Sequence, residues 1–214
     1  RVLMAILLVA VVAGGPCVWL RGTQAVGGEP LLHGAGGTAP VGDYRAAPPE
    51  LPDFRGAPWS TAPVGPSDVA GTVYAGPVSR LQALGVLTGD GEGAFRPADT
   101  ITRAEASAML VRLRGFTGDD VARAGVVPGR YADVPAGHWA AGYVNLMDSL
   151  GVVCGYADGT FRPEDPVTRA EFLTMLLRLL GYGERLQGSW PERAMGEAER
   201  LGLIADREAA PDEP

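Results

Sequence analysis

The chain of 214 residues contains no lysine, only two histidines and only two cysteines. The histidines, His33 and His138, form no recognisable nucleophile–base pair and no metal-ligand spacing, so the sequence indicates no enzyme, no metal site and no cofactor. Cys17 and Cys154 lie far apart, which argues against a disulfide framework. All 18 basic residues are arginine, and the net charge of −7 argues against a general nucleic-acid role, because phosphate binding needs a basic field.

The N-terminus carries an uncharged apolar run over residues 2–20, with an arginine on each side. Such a run is typical of a signal peptide and is nearly long enough to cross a bilayer. Residues 1–25 are therefore predicted to be a signal peptide or a membrane anchor. The glycines and proline at positions 14–16 weaken a spanning helix and favour cleavage. Either alternative places the protein outside the cytoplasm, with membrane contact only through this segment.

Glycine and proline dominate the next part of the chain, and apolar periodicity is absent there. A segment of this composition cannot bury enough surface to offset the entropy of ordering. We therefore predict a disordered linker over residues 26–66. An acidic tail is predicted over residues 207–214.

The remainder of the chain is repetitive, because residues 72–116 align with 138–182 without a gap. The shared positions include Phe-Arg-Pro and Thr-Arg-Ala-Glu. Repeats are predicted over residues 67–117 and 131–182, and a partial third copy over 188–206 has neither motif. Each repeat indicates two helices joined by a glycine-rich turn. The predicted fold is all-α: tandem helix-turn-helix repeats packed as a pseudo-threefold helical bundle with an incomplete third repeat.

Apolar residues recur at helical spacing in the first helix of the second repeat: Trp139, Tyr143, Leu146, Met147 and Leu150. The second helix of that repeat is apolar on two sides, which predicts burial among neighbouring helices. In the third copy, Ser189 and Glu192 are predicted to form a capping box ahead of the same stripe.

Thr-Arg-Ala-Glu stands at the head of the second helix in both repeats. Thr102 with Glu105, and Thr168 with Glu171, have the spacing of a capping box, in which each side chain bonds a backbone N–H of the other residue. Such a cap contributes about 1 kcal/mol per helix. The two glutamates are therefore predicted to be structural caps rather than a catalytic pair.

Capping does not explain the arginine of this motif. Arg103 and Arg169 occupy first helical positions, where the helix dipole disfavours a cation by about 0.3–1 kcal/mol. A guanidinium there needs a partner, and two alternatives remain open. One is a bound anion, and the other is a local ion pair with Glu171 or Asp165. The presence of this arginine in both repeats favours a binding site.

With these motifs, the chain resembles the S-layer homology domain family. The resemblance covers residues ~67–205 and is strongest from "DVPAGHW" through "GYADGTFRP" to "TRAEF" in the second repeat. It implies a pseudo-threefold helical fold without catalytic activity. It also implies binding of secondary cell-wall polysaccharide, often bearing a pyruvate ketal, in grooves between repeats. The protein is then expected to be secreted and to lie at the cell wall or S-layer.

By residue match, the resemblance implies that the arginines Arg103 and Arg169 contact the anionic glycan. It likewise assigns the ligand-binding set Thr102, Thr168, Trp139 and Trp190. The first repeat departs from the family, since Val73 stands where the family has tryptophan. The alternative function is a membrane-tethered envelope protein whose repeats bind another S-layer or envelope protein.

Overall fold

A computed structural model describes residues 66–89 and 93–204. Over these ranges the chain forms six α-helices and no strand, which confirms the predicted all-α repeat fold. No helix among them is long and apolar enough to cross a membrane. The predicted N-terminal segment, the linker apart from Pro66, and the acidic tail lie outside the described residues. The helices are α1 Ala75–Ala83, α2 Arg103–Leu113, α3 Gly118–Gly125, α4 Ala141–Ser149, α5 Arg169–Leu179 and α6 Glu192–Arg200, with 3₁₀ turns at Ser67–Val69 and Gly183–Leu186.

Both predicted capping boxes are confirmed. The backbone N–H of Glu105 donates to Thr102 Oγ1 over 3.2 Å, and the Thr102 N–H donates to Glu105 Oε2 over 2.9 Å. The corresponding bonds between Thr168 and Glu171 are 3.3 and 2.9 Å long. Each box therefore satisfies two backbone donors at the start of its helix.

Helix α3 lies between the two predicted repeats and was not predicted. It begins at a third capping box, in which Asp120 N–H donates to Thr117 Oγ1 and Thr117 N–H donates to Asp120 Oδ2. The helix packs closely against α4 at Gly142, where a Cβ atom would collide with the carbonyl oxygen of Val121. The absence of a side chain at Gly142 therefore permits this contact.

The third copy begins differently from the prediction. Helix α6 starts at Glu192, its N-cap is Pro191, and no side chain caps it. The predicted capping box of Ser189 and Glu192 is wrong, because Ser189 instead accepts the Arg193 N–H at its backbone carbonyl. Trp139 likewise lies in the turn before α4 rather than within the helix.

The core forms around α5, which is buried on two sides as predicted. Its side chains pack with α2, α6 and the turn at Gly183–Leu186, while α2 and α3 pack against α4. Phe161 and Phe172 are fully buried and hold the second repeat's turn and helix in this core. Burying a side chain of this size stabilises the fold by about 1.5–3 kcal/mol. Thr102 of the first Thr-Arg-Ala-Glu motif forms an isolated antiparallel bridge with Pro166, two residues before the second motif.

Candidate functional site

The N-terminus of α2 is closed by the second repeat. The backbone N–H of Arg103 donates to Asp165 O over 3.0 Å, and the N–H of Ala104 donates to Pro163 O over 2.9 Å. Two backbone carbonyls therefore take the place that an anion would occupy at a free helix start.

The Arg103 side chain also points into the second repeat. Its Nε donates to Phe161 O over 2.9 Å, and its Nη1 donates to Glu171 Oε1 over 2.8 Å. The guanidinium carbon lies 4.7 Å from the centre of the Tyr156 ring and 4.9 Å from that of Phe161. The residue is only 7% exposed. The sequence left open a bound anion or a local ion pair, and the structure instead has an ion pair between repeats, from Arg103 to Glu171.

Glu171 is thus shared by three residues. Its carboxylate accepts from Arg103, from the Tyr156 hydroxyl over 2.9 Å, and from both the N–H and the hydroxyl of Thr168 in its own cap. Burial raises the pKa of the Tyr156 phenol, and the bond to the Glu171 carboxylate raises it further. The phenol therefore stays neutral and donates its proton to Glu171 at neutral pH.

Arg169, at the head of α5, is as buried as Arg103, with 6% exposed. Its Nε makes no hydrogen bond within the described residues, although the residue has other interactions. A ligand would reach either guanidinium only after protein groups had moved. Glycan binding by Arg103, Arg169 and the capping residues Thr102 and Thr168 stays a prediction.

An open groove of about 200 Å³ lies between the two repeats, on another side of α2. We call it the first groove. The turn after α1 and one side of α2 line it, and Trp139 of the second repeat lies at its edge with 52% of its surface exposed. Arg103 is not among its lining residues, which are Val86, Leu87, Thr88, Gly89, Phe95, Ile101, Glu105, Ala108, Met109, Arg112 and Trp139.

The charged residues of the first groove are Glu105 and Arg112, which lie about two helical turns apart on α2. Arg112 Nη2 donates to the Tyr143 hydroxyl over 3.2 Å, and its guanidinium lies 5.3 Å from the centre of that ring. The Tyr143 ring is in turn 6.3 Å from the Trp139 ring. The groove thus combines an exposed indole, a fixed cation, a carboxylate and an apolar floor. Such a surface can bind a molecule with apolar faces and hydroxyl or acidic edges.

Trp190 occupies the corresponding place between the second repeat and the partial third copy. We call the contact between these two parts, formed by Trp190 and Thr174, the second junction. Trp190 is exposed to the same extent, 52%, and its Nε1 donates to Thr174 Oγ1 of α5 over 3.1 Å. The six ligand-binding residues predicted from sequence therefore do not converge on one site. The tryptophans lie at the edges of two separate junctions, and the arginines are buried.

Two aspartates that the sequence analysis missed hold the turns beside these junctions. Asp133 accepts the N–H groups of Phe161 and Arg162 over 2.7–3.1 Å. Asp68 does the same for Phe95 and Arg96 in the first repeat. The sequence could have indicated these two aspartates, since both repeats begin with an Asp-Val pair.

These contacts fix an unusual backbone. Arg96 and Arg162 have positive φ angles of 52° and 59°. A non-glycine residue pays about 1–2 kcal/mol for this left-handed conformation. The carboxylates of Asp68 and Asp133 stabilise it by bonding the N–H of each arginine. Each turn is therefore held in one shape next to its junction.

Of the groups that the structure describes, Asp158, in the turn between α4 and α5, bonds only those of its own turn. The Thr160 hydroxyl and the Arg162 guanidinium both donate to Asp158, and they lower the pKa of its carboxyl well below the ordinary range. Among the residues that the structure describes, no group of three or more His, Cys, Asp and Glu side chains is arranged to hold a metal ion.

Comparison with known proteins gives matches to both repeats. The model of the S-layer homology domain matches residues 67–107 and 130–173. The chain is 37% identical over 144 residues to the middle cell wall protein of Brevibacillus brevis, and 38% identical over 126 residues to a surface layer protein of Brevibacillus choshinensis. It is 34% identical over 94 residues to a cellulosome-anchoring protein of Acetivibrio thermocellus.

These matches cover 67%, 59% and 44% of this chain, in the same order. They cover only 13%, 11% and 21% of the relatives. The chain therefore spans a small part of each relative's length.

Proposed function

We propose that this chain, whose residues 67–107 and 130–173 match the model of the S-layer homology domain, is a non-catalytic module that anchors a protein to the cell envelope. The resemblance seen in the sequence is confirmed, as is the location outside the cell, at the cell wall or S-layer. The ligand we propose is an anionic secondary cell-wall polysaccharide. The relative named as a cellulosome-anchoring protein supports the anchoring role.

The observation that carries this proposal is the exposed indole of Trp139 at the edge of the first groove. A large aromatic side chain with 52% of its surface in solvent is left without the burial that normally stabilises it. A sugar ring has an apolar face that can cover the indole. Its hydroxyl groups can reach Arg112 and Glu105. The groove of about 200 Å³ has room for a unit of this size.

Electrostatics restrict how such a ligand is recognised. With a net charge of −7, the chain does not attract an anionic polymer at long range. Attraction must act within about one Debye length, roughly 8 Å at physiological salt. Arg112 is the cation of the first groove and is held beside Trp139 through Tyr143. We propose that it contacts the acidic group of the sugar.

For Arg103 we propose a structural role rather than direct contact with the glycan. An anionic sugar would have to displace Glu171 from it, and breaking a buried ion pair is costly. We propose that Arg103 first of all joins the two repeats and so holds the first groove in shape. Direct glycan contact by Arg103 or Arg169 requires that these buried side chains open.

The proposal is tested with the exposed residues at matching positions of the two repeats. Val73 aligns with Trp139 and is 80% exposed. Trp139→Ala is expected to lower retention of the full chain on purified cell wall severalfold, whereas Val73→Ala leaves it unchanged. Unchanged circular dichroism would show that both variants are folded. Equal retention of the two variants would contradict the role of the first groove.

A further inference from the structure

The two tryptophans differ in one hydrogen bond, although they are equally exposed. At the second junction, the Trp190 indole N–H is satisfied by Thr174 Oγ1, and the Thr174 hydroxyl donates its own proton to Ala170 O over 2.7 Å. The position of Thr174 in the first repeat is Ala108, 66 residues earlier, which has no side-chain oxygen. The Trp139 indole N–H accordingly makes no hydrogen bond to any residue that the structure describes.

The arginines beside the two tryptophans differ as well. Arg112 is bonded to Tyr143 OH, close to Trp139. Its counterpart Arg178 donates instead to Val152 O over 3.2 Å and lies 3.5 Å from Cys154 Sγ. The position of Tyr143 in the third copy is Ala194, so no hydroxyl holds Arg178 near Trp190. The first groove therefore presents an indole donor and a cation together. At the second junction, the corresponding indole and guanidinium groups are hydrogen-bonded to protein groups instead.

We propose that Ala108 determines which junction binds the glycan. This inference rests on the proposed function and names the residue that selects the site. Ala108 leaves the Trp139 indole N–H available, and an oxygen of the sugar accepts its hydrogen bond while Arg112 binds the sugar's acidic group. At the second junction, Thr174 already accepts the hydrogen bond of the Trp190 indole N–H. The second junction therefore does not bind the glycan in this way.

The physical reason is the cost of covering an unsatisfied polar group. A ligand that covers an indole must supply an acceptor for its N–H, since a buried donor without a partner weakens binding. When a threonine already accepts the indole N–H, the ligand oxygen finds no donor there, and the ligand gains no affinity from this hydrogen bond. One such hydrogen bond changes affinity by about tenfold.

The test compares two substitutions of nearly the same shape. Ala108→Thr supplies the oxygen that Trp190 has, and Ala108→Val supplies a methyl group in its place. Both add the same bulk to the groove, so their difference isolates the hydrogen bond. The full chain is titrated with polysaccharide released from the producing organism's cell wall, and Thr174→Val serves as the matched control at the second junction. We expect Ala108→Thr to bind about tenfold more weakly than Ala108→Val. Thr174→Val should bind like the unsubstituted chain, because Arg178 stays bonded to Val152 O and no cation joins the Trp190 N–H that this substitution frees.

A measurement on the unsubstituted chain makes the test independent of how well the variants fold. In ¹H–¹⁵N spectra, the indole N–H signal of Trp139 should shift when the same polysaccharide is added, while that of Trp190 stays in place. Equal affinities of Ala108→Thr and Ala108→Val would overturn the inference, and so would a shift of Trp190 without Trp139. Absence of any binding by the unsubstituted chain would instead refute the proposed function.

Discussion

The guanidinium of Arg103, in the first repeat, donates to the carboxylate of Glu171, in the second, over 2.8 Å. The two residues occupy the second and fourth positions of the same tetrapeptide, copied 66 residues apart. Their side chains are 8% and 18% exposed, so the pair is largely removed from water. The motif therefore does two things: it caps its own helix and joins neighbouring repeats.

Removing one partner of this pair should destabilise the fold strongly. Arg103→Ala leaves a buried carboxylate without its cation, and we expect the free energy of unfolding to fall by about 3–5 kcal/mol. Urea denaturation followed by circular dichroism measures this loss. Arg123→Ala, which breaks the exposed pair with Asp120, is the matched control and should have a much smaller effect. Losses of equal size would contradict the joining role.

The aspartate that holds the second turn gives another prediction. Asp133→Ala removes the acceptor of the Phe161 and Arg162 N–H groups, so the free energy of unfolding should fall by about 1.5–3 kcal/mol. Asp133→Asn keeps one acceptor oxygen and should lose less. Asp158→Ala removes an exposed carboxylate of the same turn and should change stability least. A ranking in which Asp158→Ala costs more than Asp133→Ala would be inconsistent with the turn geometry described above.

Alkaline pH should weaken the fold through Tyr131. This side chain is buried and its hydroxyl donates to Asp148 over 2.6 Å, and burial is the larger cause that raises its pKa above the ordinary value near 10. The folded chain keeps the phenol neutral while the unfolded chain ionises it. Stability is therefore full below about pH 10 and falls as the pH rises above it, by at most about 1.4 kcal/mol per pH unit.

Tyr131→Phe removes this titration. The variant should be less stable than the unsubstituted chain at pH 8, because it loses a hydrogen bond, and the difference should shrink at pH 11. Thermal unfolding at the two pH values measures both effects. A difference that stays constant between pH 8 and pH 11 would argue against the shifted phenol.

Local signals in the sequence were enough to predict the helix starts at Thr102 and Thr168. A capping box needs only residues three positions apart, and the structure has both boxes. The same signal at Thr117 and Asp120 was present but was not used, and α3 was missed. Glycine at both ends of α3 obscured its helical pattern. At Ser189 the local signal was misleading, because backbone contacts around Pro191 set the helix start instead.

The partners of Arg103 depend on tertiary structure. The sequence narrowed them to an anion or a nearby carboxylate, but the choice depends on how the repeats pack. Glu171 lies 68 residues away in the chain and reaches Arg103 only because α2 and α5 meet at their N-termini. A groove between repeats with Trp139 was expected from the family resemblance, but the place of Arg112 in it could not be predicted for the same reason, since the two residues belong to different repeats. The predicted importance of Trp139 stays a prediction that the variants above can test.

The most direct test of the account measures retention of the full chain on purified cell wall before and after chemical removal of its polysaccharide. We predict strong retention on intact wall and loss of retention on stripped wall. Adding back the released polysaccharide in solution should compete the chain off the intact wall. Undiminished retention on stripped wall would contradict polysaccharide anchoring and would favour a protein partner in the envelope.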